Sequence, residues 1–479
     1  MNAINSLPFC TTELILIGTA FMVLVMDFFI SNKKLLGWIS VLSVGAALIF
    51  AGTQTYPATG LFFNFFTIDF FAQFFRLLAL TAVGLTILAS FAFKKIPVSL
   101  HGEFYFLLLG FGVLLTVMGA ATNLLMIFLA VESVSMTSYV LTGIQKFNKQ
   151  SAEASLKYLL FGAVSSASML FGMSLLFGAT QSIDLLAIGS AFQSANSGMH
   201  AIGLVGLLFM LVGLGFKISI VPFHMWAPDV YQGAPTPVTA LLTVAPKALG
   251  FAVIIRVLFY AFPHLASHWG NLLAVLSILT MTVGNIIAIT QADIKRMLAY
   301  SSIAQAGYVL AGLAVPGVLG LRAVLIYLLA YLFTNLGAFF TVIAVERETD
   351  SNEVDAYDGL AQRNPFLALS MAVFLLSLAG IPPLAGFVGK VFIFMAVLKA
   401  DAIVLAIAIA LNSAVAAYYY FRIIRAMYLR TNKTVTPIQN PLSLQLTLIT
   451  TFVFVLLIGI FPSHVIHLIE KALTQFPVF

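Results

Sequence analysis

Apolar stretches of about 20 residues follow one another from residue 12 to residue 462, each long enough for a helix to cross a hydrocarbon layer roughly 30 Å thick. With 8% charged residues and a mean hydropathy of +1.06, the chain has too little polar surface to cover a soluble globule. A transmembrane barrel would need alternating apolar and polar residues, whereas stretches such as 121–143 are apolar on all sides. Only helices then satisfy the backbone in lipid. The expected fold is an all-α polytopic membrane protein of about 14 transmembrane helices.

The stretch at 12–30 has no basic residue before it and no small-residue cleavage site after it, so it is expected to be the first spanning helix rather than a signal peptide. One cysteine, Cys10, excludes an internal disulfide and any multi-cysteine cluster. The net charge of +6 comes from Lys and Arg in short loops, not from one patch, which argues against nucleic acid. Those basic residues fall at 33–34, 94–95, 146–149, 295–296, 347–363 and 422–433, while the loops at 53–69, 180–200 and 262–271 have none. By the positive-inside rule the first set is cytoplasmic and both termini lie outside. The longest polar insert, 346–364, joins two helices on the inner side, and no second domain is evident.

Five ionisable residues sit in or near apolar runs: Glu132, Lys157, Lys217, Lys247 and Lys390. A charge at the centre of a membrane helix costs roughly 2.5–3.5 kcal/mol on insertion scales, so ion or proton movement is the expected role. Glu132, amid Ser133, Ser135, Thr137 and Ser138, could instead make a structural hydrogen bond. Lys217, near the inner end of its run, could extend its stem to the interface. Lys247, beside Pro246 and with apolar residues on both sides, is harder to explain by either route. Lys157 stands four residues after Glu153, so a surface ion pair competes with a relay role. Two helices are interrupted: Pro222 follows Lys217 by five residues, and Gly380, Pro382, Pro383 and Gly386 precede Lys390. Such breaks persist at membrane depth only where protein or a wet cavity satisfies the freed backbone, and they often mark ion pathways.

His224, at the first break, could bridge two half-paths. The other histidines lie near helix ends, and no haem, copper, phosphate-loop or nucleophile-elbow pattern occurs; no cofactor or metal site is expected in this chain. Arg256 is expected at the outer interface; Asp229, in the polar break, could guard an entry funnel, but the expectation is a solvated loop carboxylate. Lys217 and Lys390 are 173 residues apart and the Tyr-Leu-Leu runs at 158–160 and 327–329 are 169 apart, which hints at an internal repeat of about five helices. An odd helix number would insert the second copy upside down.

GEFYFLLL at 102–109, VES at 131–133, EASLKYLLFGAVSSA at 153–167 and above all PFHMWAPDVYQGAPTPV at 222–238 resemble the antiporter-like membrane subunits of respiratory complex I. The resemblance spans nearly the whole chain. The length, a lysine at 390 and an end just after the last helix match members without a long lateral helix. Thr11 and Thr12 depart from the family pattern, where a proline often precedes the glutamate at Glu13.

The resemblance implies two inverted five-helix repeats, each with one broken helix, within a single membrane domain 1–479: N-terminal helices 1–100, a first repeat 101–262, a second 271–430 and a C-terminal helix in 431–479. It implies a proton relay in which Glu132 pairs with Lys217, Lys247 is central and Lys390 passes the proton outward, with Lys157 and His224 also at family positions. NADH, FMN, Fe–S clusters and quinone would reside in partner subunits, the other membrane-arm subunits would be neighbours, and the site would be a bacterial inner membrane. A subunit of a multi-subunit cation/proton antiporter would share Glu132 and Lys217. A stand-alone permease would also tolerate broken helices. A purely structural scaffold is disfavoured by the cost of so many buried charges.

Overall fold

In the computed structural model, which describes residues 3–54, 60–193, 197–431 and 437–477, the apolar runs form helices. In chain order they are α1 (Thr11–Asp27), α2 (Lys34–Thr53), α3 (Phe70–Ser90), α4 (His101–Ala120), α5 (Leu124–Thr142), α6 (Lys149–Thr180), α7 (Ser197–Ile218) and the short α8 (Trp226–Gly233). They continue with α9 (Thr236–Arg256), α10 (Ala266–Ile289), α11 (Ile294–Leu313), α12 (Val318–Thr349), α13 (Pro365–Ala379), α14 (Ala385–Lys399), α15 (Ile403–Leu429), α16 (Leu442–Ile460) and α17 (Pro462–Leu473). Among the described residues, 12 helices are long and apolar enough to cross a membrane. The protein is thus an all-helical, multi-span membrane protein.

A helix that is apolar all round must be surrounded, and two helices meet that condition. The hydrophobic stretch of α9 is 100% buried and that of α12 is 94% buried, so these two form the centre. The outer helices α1, α6, α10, α15 and α16 leave apolar side chains such as Phe21, Val164, Val275, Leu411 and Leu446 exposed, as a lipid-facing surface requires. Small residues let the outer helices approach one another. A Cβ on Gly172 of α6 would meet the Gly206 carbonyl of α7 at 2.5 Å, so that crossing needs glycine.

Local details recur about 169 residues apart. Helices α6 and α12 are both 32 residues long, and each is followed by a left-handed residue, Gln181 (φ 55°) and Asp350 (φ 52°). Thr180 and Thr349 each return a hydroxyl to the carbonyl four residues back. Asn123 and Asp293 cap α5 and α11 and bridge to Asp184 and Glu353. Tyr158 and Tyr327 fall at the tenth position of α6 and α12.

Both expected helix interruptions are present. The first separates α7 from α8, the second α13 from α14, and each contains a cis proline bond, Val221–Pro222 and Pro382–Pro383. Lys217 belongs to the half before its break, whereas Lys390 belongs to the half after. The 173-residue spacing therefore does not join equivalent positions, because the two lysines occupy opposite sides of their interruptions. Glu346 also differs from expectation. It is not in a polar insert but within α12, 4% exposed, with Lys95 at 3.0 Å and the Thr236 hydroxyl at 2.5 Å.

Candidate functional site

In α5 the small polar residues around Glu132 are absorbed by their own helix. Ser135, Thr137 and Ser138 each donate to the carbonyl four residues back, at 2.6–2.9 Å, as short hydroxyl side chains in apolar helices do. Glu132 is half-buried and accepts a hydrogen bond from Ser166 of α6. Lys217, in the last turn of α7, is 1% exposed, so its stem does not reach the interface. Its Nζ donates to the Ser135 Oγ at 3.0 Å. Among the described residues no ion pair joins Lys217 to Glu132; the serine one turn along α5 takes the amine. Glu132 and Lys217 thus lie on adjoining helices, each held by its own serine, without touching.

The break after Lys217 is firmly packed. Ser219 is left-handed (φ 59°), Ile220 N–H returns to Gly215 O at 3.0 Å, and Val221 N–H donates to the Thr280 hydroxyl at 3.1 Å. Trp226 stacks on Tyr158 with centroids 4.2 Å apart and donates its indole N–H to Phe216 O. His224 is buried here, with an Nδ1 that meets no partner among the described residues.

Lys247 lies midway along α9, 3% exposed. Its Nζ donates to the Ser302 Oγ of α11 at 2.8 Å and approaches the Ser302 carbonyl at 3.3 Å. Pro246 has no N–H for the Leu242 carbonyl, and the Tyr231 hydroxyl supplies the missing donor at 3.4 Å. The Tyr231 ring itself stands 5.5 Å from Lys247 Nζ. A Cβ at Gly250, one turn on, would lie 3.6 Å from the Lys217 stem, so Lys217 and Lys247 share one helix contact while their amines point to different serines.

Lys390, in the second turn of α14, is 7% exposed. Its Nζ donates to the Ala379 carbonyl, the last of α13, at 3.0 Å, and to Ser413 Oγ of α15 at 3.2 Å. The chain between Lys247 and Lys390 is polar. On α11, Ser301 meets the Tyr420 hydroxyl at 2.5 Å, and Gln305 donates to the same hydroxyl at 3.1 Å. Tyr327 donates to Gln305. Tyr419 donates to Asn285 at 3.0 Å, and Asn285 in turn donates to Tyr308 at 3.4 Å. These hydroxyl and amide residues were not expected from the sequence. Their signal was present in SSIAQAGY at 301–308, where Ser301, Gln305 and Tyr308 fall on one helical stripe.

Lys157 stands apart from these. Its amine bridges Glu153 at 2.8 Å and Asp229 at 2.7 Å, and Asp229 also binds Arg296 at 2.7 Å. Together with Gln150 and Gln232 they line a polar cavity of about 230 Å³. Asp229 is therefore a paired residue of helix α8 rather than a solvated loop carboxylate. Arg256 departs further from expectation. It is fully buried, grips Asp69 with both terminal nitrogens at 2.8 and 3.2 Å, and donates to the Gly119 carbonyl at 3.2 Å. An apolar stretch close to a helix end reads as an interface in sequence; the loop before α3 instead folds back to cover it.

Residues 121–416 match the family model for the membrane-spanning region of NADH:quinone oxidoreductase and Mrp antiporters. The chain is 40% identical over 464 residues to NADH-quinone oxidoreductase subunit N of Trichlorobacter lovleyi, covering 96% of this chain and 95% of that one. It is 41% identical over 494 residues to NAD(P)H-quinone oxidoreductase subunit 2 of Thermosynechococcus vestitus, covering 100% and 94%. A chain in the structure of respiratory complex I from Thermus thermophilus with bound aureothin superposes with a TM-score of 0.80 at 32% identity, covering 95% of this chain and 98% of that one.

Proposed function

Because this chain belongs to the NADH:quinone oxidoreductase/Mrp antiporter family of membrane subunits, we propose that it moves protons across the membrane along Glu132, Lys217, Lys247 and Lys390. It is a proton-translocating membrane-arm subunit of NADH:quinone oxidoreductase, of the subunit N type, and its partners are other membrane-arm subunits. The observation that carries the relay is how the three lysine amines are held. Each is buried, and each donates to a neutral oxygen, of Ser135, Ser302, Ala379 or Ser413, rather than to a carboxylate. A lysine locked to a carboxylate stays charged; one bound to hydroxyls and carbonyls can give up its proton and regain it.

Glu132 is half-buried on a face whose neighbours Leu129 and Met136 are exposed and apolar. A carboxylate at that depth cannot be left to lipid, so an adjoining subunit covers it. Electron transfer in partner subunits, where NADH, FMN, Fe–S clusters and quinone are bound, would change the charge next to Glu132. That perturbs Lys217 through space, and a proton passes to Lys247 and on past the Ser301, Gln305, Tyr420 and Asn285 side chains to Lys390. The cavity at Lys157 and Asp229 serves as an inner mouth, and His224 stands at the break beside Lys217.

Adding α11 and the broken pair α13–α14 to the 12 long spans gives 14 crossings. The recurrences at 169 residues support two five-helix repeats, α4 to α9 and α10 to α15, each with one broken helix, and the odd helix number makes the second inverted. The distribution of basic loops supports both termini lying outside, in a bacterial inner membrane.

The test is proton pumping by the assembled enzyme carrying Lys217→Ala or Glu132→Ala, at matched NADH oxidation. Loss of pumping in both is expected. Undiminished pumping in both sinks the relay.

A further inference from the structure

Lys390 has no acidic neighbour within ion-pair distance among the described residues, yet it is enclosed by α11, α13, α14 and α15. A charged amine in such a place needs electron density from neutral groups. Two are hydrogen-bond acceptors. The Ala379 carbonyl closes α13, at the negative end of that helix's dipole, and Ser413 is the other. The third is an aromatic face: Nζ stands 4.4 Å from the centroid of the Tyr308 ring. Tyr308 is fully buried, so packing holds its ring in place, and its hydroxyl lies 3.4 Å from Asn285 and 3.5 Å from Ser413. The other relay lysines lack this. Lys247 is 5.5 Å from the Tyr231 ring, and Lys217 has no ring contact among the described residues.

We propose that Tyr308 is the positioning residue that holds the proton on Lys390, its ring face taking the place of a carboxylate. This rests on the relay reading above. The ring stabilises the ammonium without forming an ion pair, so the proton stays long enough to be the last station of the path yet leaves when the outer side opens. A desolvated cation–ring contact of this kind shifts occupancy of the charged form on the order of tenfold.

The experiment uses the assembled complex in proteoliposomes, with initial proton pumping compared at equal NADH oxidation. Tyr308→Phe, which keeps the ring, is expected to pump within about twofold of the parent, and Tyr308→Leu to pump roughly tenfold more slowly. Fluorinated phenylalanines at 308, with one to three ring fluorines, change the ring's charge distribution but hardly its shape. Pumping is expected to fall stepwise with fluorine number, a response that a structural role does not produce and that does not depend on Tyr308→Leu assembling. A flat response to fluorination, or Tyr308→Phe pumping as poorly as Tyr308→Leu, overturns the proposal. Lys390→Ala is measured alongside: if it pumps normally the relay itself fails, whereas its failure with unaltered Tyr308→Leu removes only the role of Tyr308.

Discussion

In the proposed relay the buried amines are those held by neutral oxygens, since a cation held by a carboxylate keeps its charge. Lys217, Lys247 and Lys390 rest on neutral oxygens, whereas buried Arg256 and the more exposed Lys95 rest on carboxylates. Ser302→Ala would leave the Lys247 amine only the 3.3 Å carbonyl contact, and losing a hydrogen bond to a buried charged group costs about 1.5–3 kcal/mol. Pumping at matched electron flux is expected to fall about tenfold or more, while Ser168→Ala, on the exposed face of α6, leaves it unchanged. The fixed class makes a pH prediction. Burial opposes charge on Lys95, but hydrogen bonds from its amine to Asp350 and Glu346 outweigh that and hold its pKa above the usual lysine value; the same bond holds Asp350 below the usual carboxylate value. A raised lysine contributes stability below its unfolded pKa, about 10.4, and loses it as pH rises through the folded one; a depressed aspartate contributes above about 3.9 and loses it on acidification. Lys95→Met should therefore lower the inactivation temperature of the complex by the same amount at pH 5 and pH 9. A difference that disappears on going from pH 9 to pH 5 would contradict this. The sequence marked the charges of the proposed relay because charges in apolar runs are costly, but it did not single out Ser302 or show that Tyr308 faces an amine. Hydroxyls are cheap in a helix, where the backbone satisfies them, and only the packing of α11 against α9 and α14 shows which ones face an amine.

The broken helices do the positioning. Gly380 ends α13 in the left-handed region (φ 91°), accepting the turn that frees the Ala379 carbonyl, and a Cβ there would also meet Lys390 Cδ at 2.8 Å. Gly380→Ala carries both the left-handed penalty of roughly 1–2 kcal/mol and a displaced lysine stem. It is expected to lower pumping severalfold with normal NADH oxidation, measured in inverted membrane vesicles. Gly178→Ala, where no atom lies within 4 Å, serves as the silent control. Equal pumping by the two variants would show that the break tolerates a shift of Lys390. Both breaks could be read from proline and glycine clusters, as could the long helices from their apolar runs, because a spanning helix must satisfy its backbone internally whatever its neighbours are. Helix α11 was a weaker signal, since Ser301, Ser302, Gln305 and Tyr308 dilute its apolar character; those same residues border the proposed path. The fold of Arg256 was not legible at all, because its partner Asp69 is 187 residues away.

Across the whole molecule the proposed path crosses one fully buried helix, and that helix is anchored at both ends. At its start, α9 gives the Thr236 hydroxyl to Glu346 of α12, and Lys295 of α11 donates to the adjoining Ala234 carbonyl at 2.6 Å. At its end, Arg256 is bound to Asp69 and to Gly119 of α4, under the rings of Phe71 and Tyr260. Lys247 thus sits midway along a helix held at both ends, and the proposed transfer would proceed by local motion of side chains. The anchor at Arg256 gives the sharpest stability test. Removing one member of a buried ion pair strands the other charge, at about 3–5 kcal/mol, whereas replacing both by apolar groups of similar size is often nearly neutral. Asp69→Leu and Arg256→Met are each expected to reduce the amount of assembled complex strongly, and the double variant to recover much of the loss, read as the yield and thermal inactivation of purified enzyme. Because the pair lies away from the lysine amines, the recovered double variant should also pump at the parent rate per NADH oxidised. If it assembles but does not pump, Arg256 belongs to the conducting path rather than to its frame.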